Sequence, residues 1–142
     1  MSFLERINLA VLAALVGVYG WYFSTVGGEL IGGFEPGAAL SSTNDKMFLA
    51  VGSFIILMII SSIVTAIFMG RESEEQDERD KTIDMRGDQR GGFALAVFAL
   101  LGMGLAMADY PNVLVANAIL AGLVVSEMVK SVSKLIDYRR GV

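Results

Sequence analysis

From residue 47 to residue 69 the chain runs on without one charged side chain. A helix needs about 20 predominantly apolar residues to cross the hydrocarbon of a bilayer, and this run supplies them. Three more apolar runs follow the same rule less perfectly, at about residues 7–26, 92–108 and 113–130. The third is short, and the fourth reaches spanning length only if Glu127 is tolerated inside it. Lipid cannot satisfy backbone polar groups, so only helices or closed barrels span. A barrel strand alternates apolar and polar residues. These runs are apolar on every side, which predicts an all-α, polytopic membrane protein with four helices arranged as two hairpins.

Composition agrees. Only 18% of the 142 residues are charged and 54% are hydrophobic, where a soluble domain has about 25% charged. Nearly all of that charge lies between the runs. The net charge of −4 speaks against a nucleic-acid partner, which wants a basic face. Cys and His are absent, which removes thiol nucleophiles, disulfides, most zinc sites and His-ligated haem. Without either residue, and without paired carboxylates inside the spans, an enzyme is not expected, and no cofactor or metal is called for.

The first run is expected to stay as a helix rather than be cleaved as a signal peptide. It begins with one basic residue, Arg6, beside Glu5, and ends in Tyr19, Trp21, Tyr22 and Phe23 with no small-x-small pattern. Aromatics at that position read as an interfacial belt. Arg6, Arg71, Arg79, Lys81, Arg86, Arg90, Lys130, Lys134, Arg139 and Arg140 are ten of the 11 basic residues, and all fall on one side of the predicted topology. The positive-inside rule then puts both termini and the segment 71–90 in the cytoplasm.

Asp109-Tyr110-Pro111-Asn112 is a tight turn, so helices 3 and 4 should pair antiparallel. The outer loop over residues 27–46 is rich in glycine, with Pro36 among Leu30, Ile31 and Phe34. It reads as a connector lying on the membrane surface or folding over the helix ends, with Ser41, Ser42, Thr43, Asn44 and Asp45 as cap candidates for helix 2. Small residues four apart (Ala13 and Gly17, Gly104 and Ala108, Ala118 and Gly122) suit close helix packing.

The charged segment 71–90 is rich in helix formers. It can continue helix 2 outward and break at Gly87. Glu75 with Arg79 and Asp77 with Lys81 are i,i+4 pairs. The segment is a solvated charged helix or a docking surface formed by Glu75, Asp77, Glu78, Arg79 and Asp80, with Ile83 and Met85 as apolar contacts. Its spacing fits no calcium loop.

Inside the spans, Glu127 lies roughly 22 Å along helix 4 from Asn112, in a hydrocarbon core about 30 Å thick. A carboxylate there needs a partner. Lys130 is three residues on, and Arg90 at the start of helix 3 can reach the same level. The group reads either as an ion pair locking helices 3 and 4 or as a proton or cation site. Asn117 reads as a helix-to-helix hydrogen-bonding residue. The stretch 126–140 reads as helix 4 emerging to rest an amphipathic turn on the inner leaflet.

The motif Asp77-Glu78-Arg79-Asp80, followed by Ile83 and a glycine ahead of a helix, resembles a stretch in small bacterial predicted membrane proteins of unknown function. The ending Tyr138-Arg139-Arg140-Gly141 is similar to the Tyr-x-Arg-x-Gly tails common among them. The resemblance covers about the last half of the chain. It implies a bacterial inner-membrane location, and a docking role, since some of these proteins are thought to work beside helix-turn-helix regulators. It transfers no catalytic residue. The leading expectation is thus a non-enzymatic membrane protein, in contact with the lipid bilayer, that docks a partner (a cytoplasmic regulator or a larger membrane complex) through its charged segment 71–90 and its helix faces; a protein partner or a homo-oligomer is expected. The alternative is a small oligomeric transporter or channel using Glu127.

Overall fold

The computed structural model describes residues 3–31, 39–69 and 78–140. They form four α-helices: α1 (Phe3–Ile31), α2 (Ala39–Met69), α3 (Glu78–Met107) and α4 (Asn112–Arg140). All four are long and apolar enough to cross a membrane, so the chain is an all-helical, multi-pass membrane protein. The outward surface supports this. Ile55, Ile56, Ile59, Ile60, Ile63 and Ile67 of α2 and Phe93, Leu100, Met103 and Met107 of α3 all point away from the protein. A water-soluble bundle would turn such a row inward. Lipid is the solvent that makes it stable.

Helix α4 is the centre of the arrangement and touches the other three. Among the described residues, helix α3 packs on α4 alone, while α1 packs on both α4 and α2. The core lies between α1, α2 and α4. Leu15, Tyr19, Tyr22 and Val26 make one stripe of α1, spaced four, three and four apart, and meet Ala50, Leu120 and Val124. Tyr19 and Tyr22 are each only 2% exposed, so the aromatic belt expected at the end of α1 is half inverted. Trp21 faces outward at 62% exposure. The two tyrosines turn inward because their hydroxyls find acceptors there. Tyr19 donates to the Ala50 carbonyl at 2.8 Å, and Tyr22 donates to Asn117 Oδ1 at 2.8 Å.

The turn between α3 and α4 closes as a Schellman motif. Tyr110 N–H reaches Leu105 O at 3.1 Å, and Asp109 N–H reaches Ala106 O at 3.3 Å. Asp109 takes the left-handed conformation, φ 55°, which Asp tolerates better than most residues. Pro111 then stops the chain from continuing the old helix. From this turn the two helices run antiparallel. Gly102 lies against Ile119, Gly122 against Phe98, Gly91 against Ser126 and Gly87 against Lys134.

Two expectations are corrected. The outer loop is shorter than residues 27–46, because α1 runs to Ile31 and α2 starts at Ala39. Gly27 and Gly28 are therefore helical, and Ser41 to Asp45 lie within α2 rather than capping it. Residues 32–38 are outside the described part. Second, residues 78–90 of the charged segment belong to α3, while residues 70–77 lie outside the described part. Gly87 sits inside α3 and does not break it. A glycine in a helix costs about 1 kcal/mol relative to alanine, but this one admits the Lys134 side chain, whose Cγ is 2.7 Å from where a Cβ would stand. The end of α4 continues the same helix to Arg140, with Ser131, Ser133 and Asp137 buried.

Candidate functional site

The start of α1, the end of α2, the start of α3 and the end of α4 gather at one end of the protein. Residues from all four line a single cleft there. This charged end has two parts, a seam between α3 and α4 and the cleft beside it.

The seam follows from helical spacing. Asp84 and Asp88 are four apart on α3, and Lys130 and Lys134 are four apart on α4, so each pair presents one face. Antiparallel packing then sets them opposite one another. Lys134 Nζ is 2.8 Å from Asp84 and 3.7 Å from Asp88, and Lys130 Nζ is 3.0 Å from Asp88. One turn further out, Arg90 binds Asp137 at 3.0 Å and donates to the Ser133 hydroxyl. Ser126 donates to the Gly91 carbonyl at 2.8 Å, closing the polar seam where the apolar spans begin.

The members differ in solvation. The Asp137 side chain is 7% exposed and its Arg90 partner 49%. Exposed pairs are worth about 0–1 kcal/mol, while an unpaired buried charge costs several kcal/mol. The Arg90–Asp137 pair is therefore the strictest constraint in the seam, and Asp88, well exposed, the most relaxed.

The cleft lies on the neighbouring face of α4 and encloses about 380 Å³. Glu127, Lys130, Ser131, Lys134 and Tyr138 come from α4, Ile7, Asn8 and Val11 from α1, and Met58, Ser61, Ser62 and Ala66 from α2, with Asp84 from α3. Charged and hydroxyl side chains share the lining with the apolar Ile7, Val11, Met58 and Ala66. Among the described residues, Glu127 has one ion pair, Lys130 at 3.9 Å.

The chain matches no protein-family model, and no curated protein and no solved structure resembles it at a significant level.

What the protein does must therefore be read from these residues. The four intramembrane candidates do not form one group. Glu127 and Lys130 share the cleft, but Lys130 lies nearer Asp88 than Glu127. Arg90 turns to Asp137 instead. Asn117 is ten positions before Glu127, about 15 Å away along the helix, and joins α4 to α1 and α2. Besides accepting from Tyr22, it donates to Val113 O at 2.8 Å and approaches Met47 Sδ at 3.8 Å.

Of the candidate docking residues, Glu75 and Asp77 lie outside the described residues, and so do the two i,i+4 pairs they head. Glu78, Arg79 and Asp80 form the first turn of α3. Ile83 is fully buried, at 0% exposure, and cannot serve as a contact for a partner, whereas Met85 is 66% exposed. Asp84, Asp88, Lys134 and Asp137 were not among the candidates, yet they build the seam. A signal for them was present. Asp88 and Lys130 are equally distant in sequence from Asp109, and so are Asp84 and Lys134. A tight turn there makes those pairs face each other.

Proposed function

We propose that this chain is a non-enzymatic protein of a bacterial cytoplasmic membrane, built as two helical hairpins with both termini inside, and that it docks a partner through its charged end. The observation that carries this is the shape of the α3–α4 extension. Helix α3 has 30 residues, about 45 Å of helix, against a hydrocarbon core of about 30 Å. Its excess lies at the charged start, beside the equally charged end of α4. The seam turns the ion pairs inward and leaves Met85, Val132 and Ile136 exposed on the outside. A pre-ordered polar pair of helices with apolar side chains on its outer surface suits a protein partner, because little ordering entropy remains to be lost on binding. The bacterial setting is the one the Tyr138-Arg139-Arg140 tail suggests. The inward orientation rests on the ten basic residues gathered on this side.

The test uses two kinds of variant. Met85→Cys gives the only thiol in a chain without native cysteine. A membrane-impermeant maleimide should label it only after the cells are permeabilised. Val132→Asp with Ile136→Asp leaves every seam residue in place. Purification in mild detergent should bring down a stoichiometric second protein, or a second copy, with the wild type and at least fivefold less with the double variant. Undiminished recovery defeats docking through this face.

A second reading has its own observation, the polar cleft beside Glu127. It is a small oligomeric transporter or channel in which Glu127 carries the coupling charge. Proton-coupled or cation flux in liposomes should collapse in Glu127→Gln, and unchanged flux removes Glu127 from that role.

A further inference from the structure

We infer that the cleft at the charged end is a binding site for an ammonium group carrying an apolar chain, with Glu127 as its counter-ion. This does not depend on the docking face, which lies on the opposite side of α4.

The first observation is charge. Asp84 and Asp88 hold Lys134 and Lys130 at 2.8 and 3.0 Å. Glu127 is a third carboxylate beside those two ammoniums, and Lys130 approaches it only to 3.9 Å. One negative charge in this group is left over, and Glu127, the carboxylate farthest from an ammonium, lines the cleft. Its side chain is 21% exposed, so water compensates it only in part. A cationic ligand satisfies it. An anion does not fit the same place, because both lysines are already engaged by α3. A multivalent metal ion is no better. Among the described residues no group of three His, Cys, Asp or Glu could hold one.

The second observation is the neutral polar part of the lining. Ser61 and Ser62 of α2 and Asn8 of α1 supply it. Their oxygens are neutral acceptors suited to completing the shell of an ammonium without cancelling its attraction to the carboxylate. The third is the apolar share of the lining. Val11 and Met58 line the same cleft as Glu127, and an alkyl chain is at home against them. The volume of about 380 Å³ falls within the range of small-molecule sites, roughly 300–1,000 Å³. A carboxylate, neutral hydroxyls and apolar side chains around one cleft together describe an amphiphile with a cationic head. Two sources share that chemistry, the head group of an aminophospholipid and a free alkylamine.

The experiment is calorimetric titration of the purified full chain in dodecyl maltoside micelles, which contain no ammonium group, with empty micelles as blank. The probes are decyltrimethylammonium, decyl sulfate and decyl glucoside, which share one chain length. Saturable binding is expected for the cation alone. Glu127→Gln should weaken it at least tenfold. Ser62→Trp, which fills the cleft and leaves its charge untouched, should do the same. Equal affinity in Glu127→Gln, or equal saturation by the sulfate or the glucoside, overturns the inference. If Glu127→Gln fails to fold, Ser62→Trp decides, and undiminished affinity there refutes the site. Phosphatidylethanolamine added to the micelles then separates the sources. Displacement of the probe assigns the head group of a lipid, and an unchanged isotherm assigns a free amphiphile.

Discussion

Removing either partner of the Arg90–Asp137 pair should cost very different amounts, although the lost distance of 3.0 Å is the same. The difference comes from what is left behind. In Arg90→Ala the Asp137 carboxylate, whose side chain is 7% exposed beside its partner, loses that partner in a largely covered place. Stranding a buried charge costs about 3–5 kcal/mol. In Asp137→Ala the residue left is Arg90, half exposed, whose long side chain swings into water and recovers most of its solvation. The loss there is one charge-assisted hydrogen bond, about 1.5–3 kcal/mol. In the double variant no charge is stranded, so its destabilisation should fall below that of Arg90→Ala alone. The measurement is unfolding in mixed dodecyl maltoside and dodecyl sulfate micelles, followed by helical circular dichroism, as a double-mutant cycle. Seam pairs in contact should show a coupling of about 0.5–3 kcal/mol. Equal losses in the two single variants, or strictly additive behaviour in the double, would refute this account of the seam.

Two further outcomes follow from the same geometry. Gly91→Leu should push α3 from α4, because even a Cβ at position 91 would stand 2.9 Å from the Ser126 carbonyl and 3.2 Å from Lys130 Cβ. Overpacking of this kind costs about 1–3 kcal/mol, visible as a lower midpoint in the same unfolding assay, while Gly92→Leu, with open space at its Cβ, should leave the midpoint unchanged. Asp88→Ala should weaken decyltrimethylammonium binding severalfold in calorimetry, because Lys130, freed from its 3.0 Å partner, moves to neutralise Glu127. Tighter or unchanged binding would show that Lys130 is not shared between the seam and the cleft.

The four helices were plain in the sequence because lipid imposes one rule on every spanning segment, and residues 47–69 obey it without a single charge. Local signals misled where tertiary packing decides. Gly87 reads as a breaker by propensity, yet the Lys134 side chain crossing over it gives the missing Cβ a use. The glycines at 27 and 28 read as loop, but α1 carries through them. Tyr19 and Tyr22 read as belt residues, since a sequence shows no acceptors, and their acceptors, Ala50 O and Asn117, stand on other helices. The seam was hidden for a different reason. Glu127 and Lys130 are neighbours in sequence, so they look like partners, while Asp88 is 42 positions from Lys130 and becomes its nearer contact only after the turn at Asp109 fixes the register.

Helix α4 shows why one short stretch can serve structure and chemistry together. At 100° per residue, Ser126, Ser133 and Asp137 share the side that meets α3, Glu127, Ser131 and Tyr138 share the side that lines the cleft, and Val132 and Ile136 share the exposed side. Lys130 and Lys134 fall between the first two sides. Their chains pack in the seam, and their ammoniums also border the cleft. The seam therefore sets the charge of the cleft. Because Asp84 and Asp88 hold both ammoniums on the α3 side, Glu127 is left lining the hollow with Lys130 at 3.9 Å. The residue that by sequence complicates the fourth crossing thus keeps one distant ion pair, and a cation in the cleft would be its second partner.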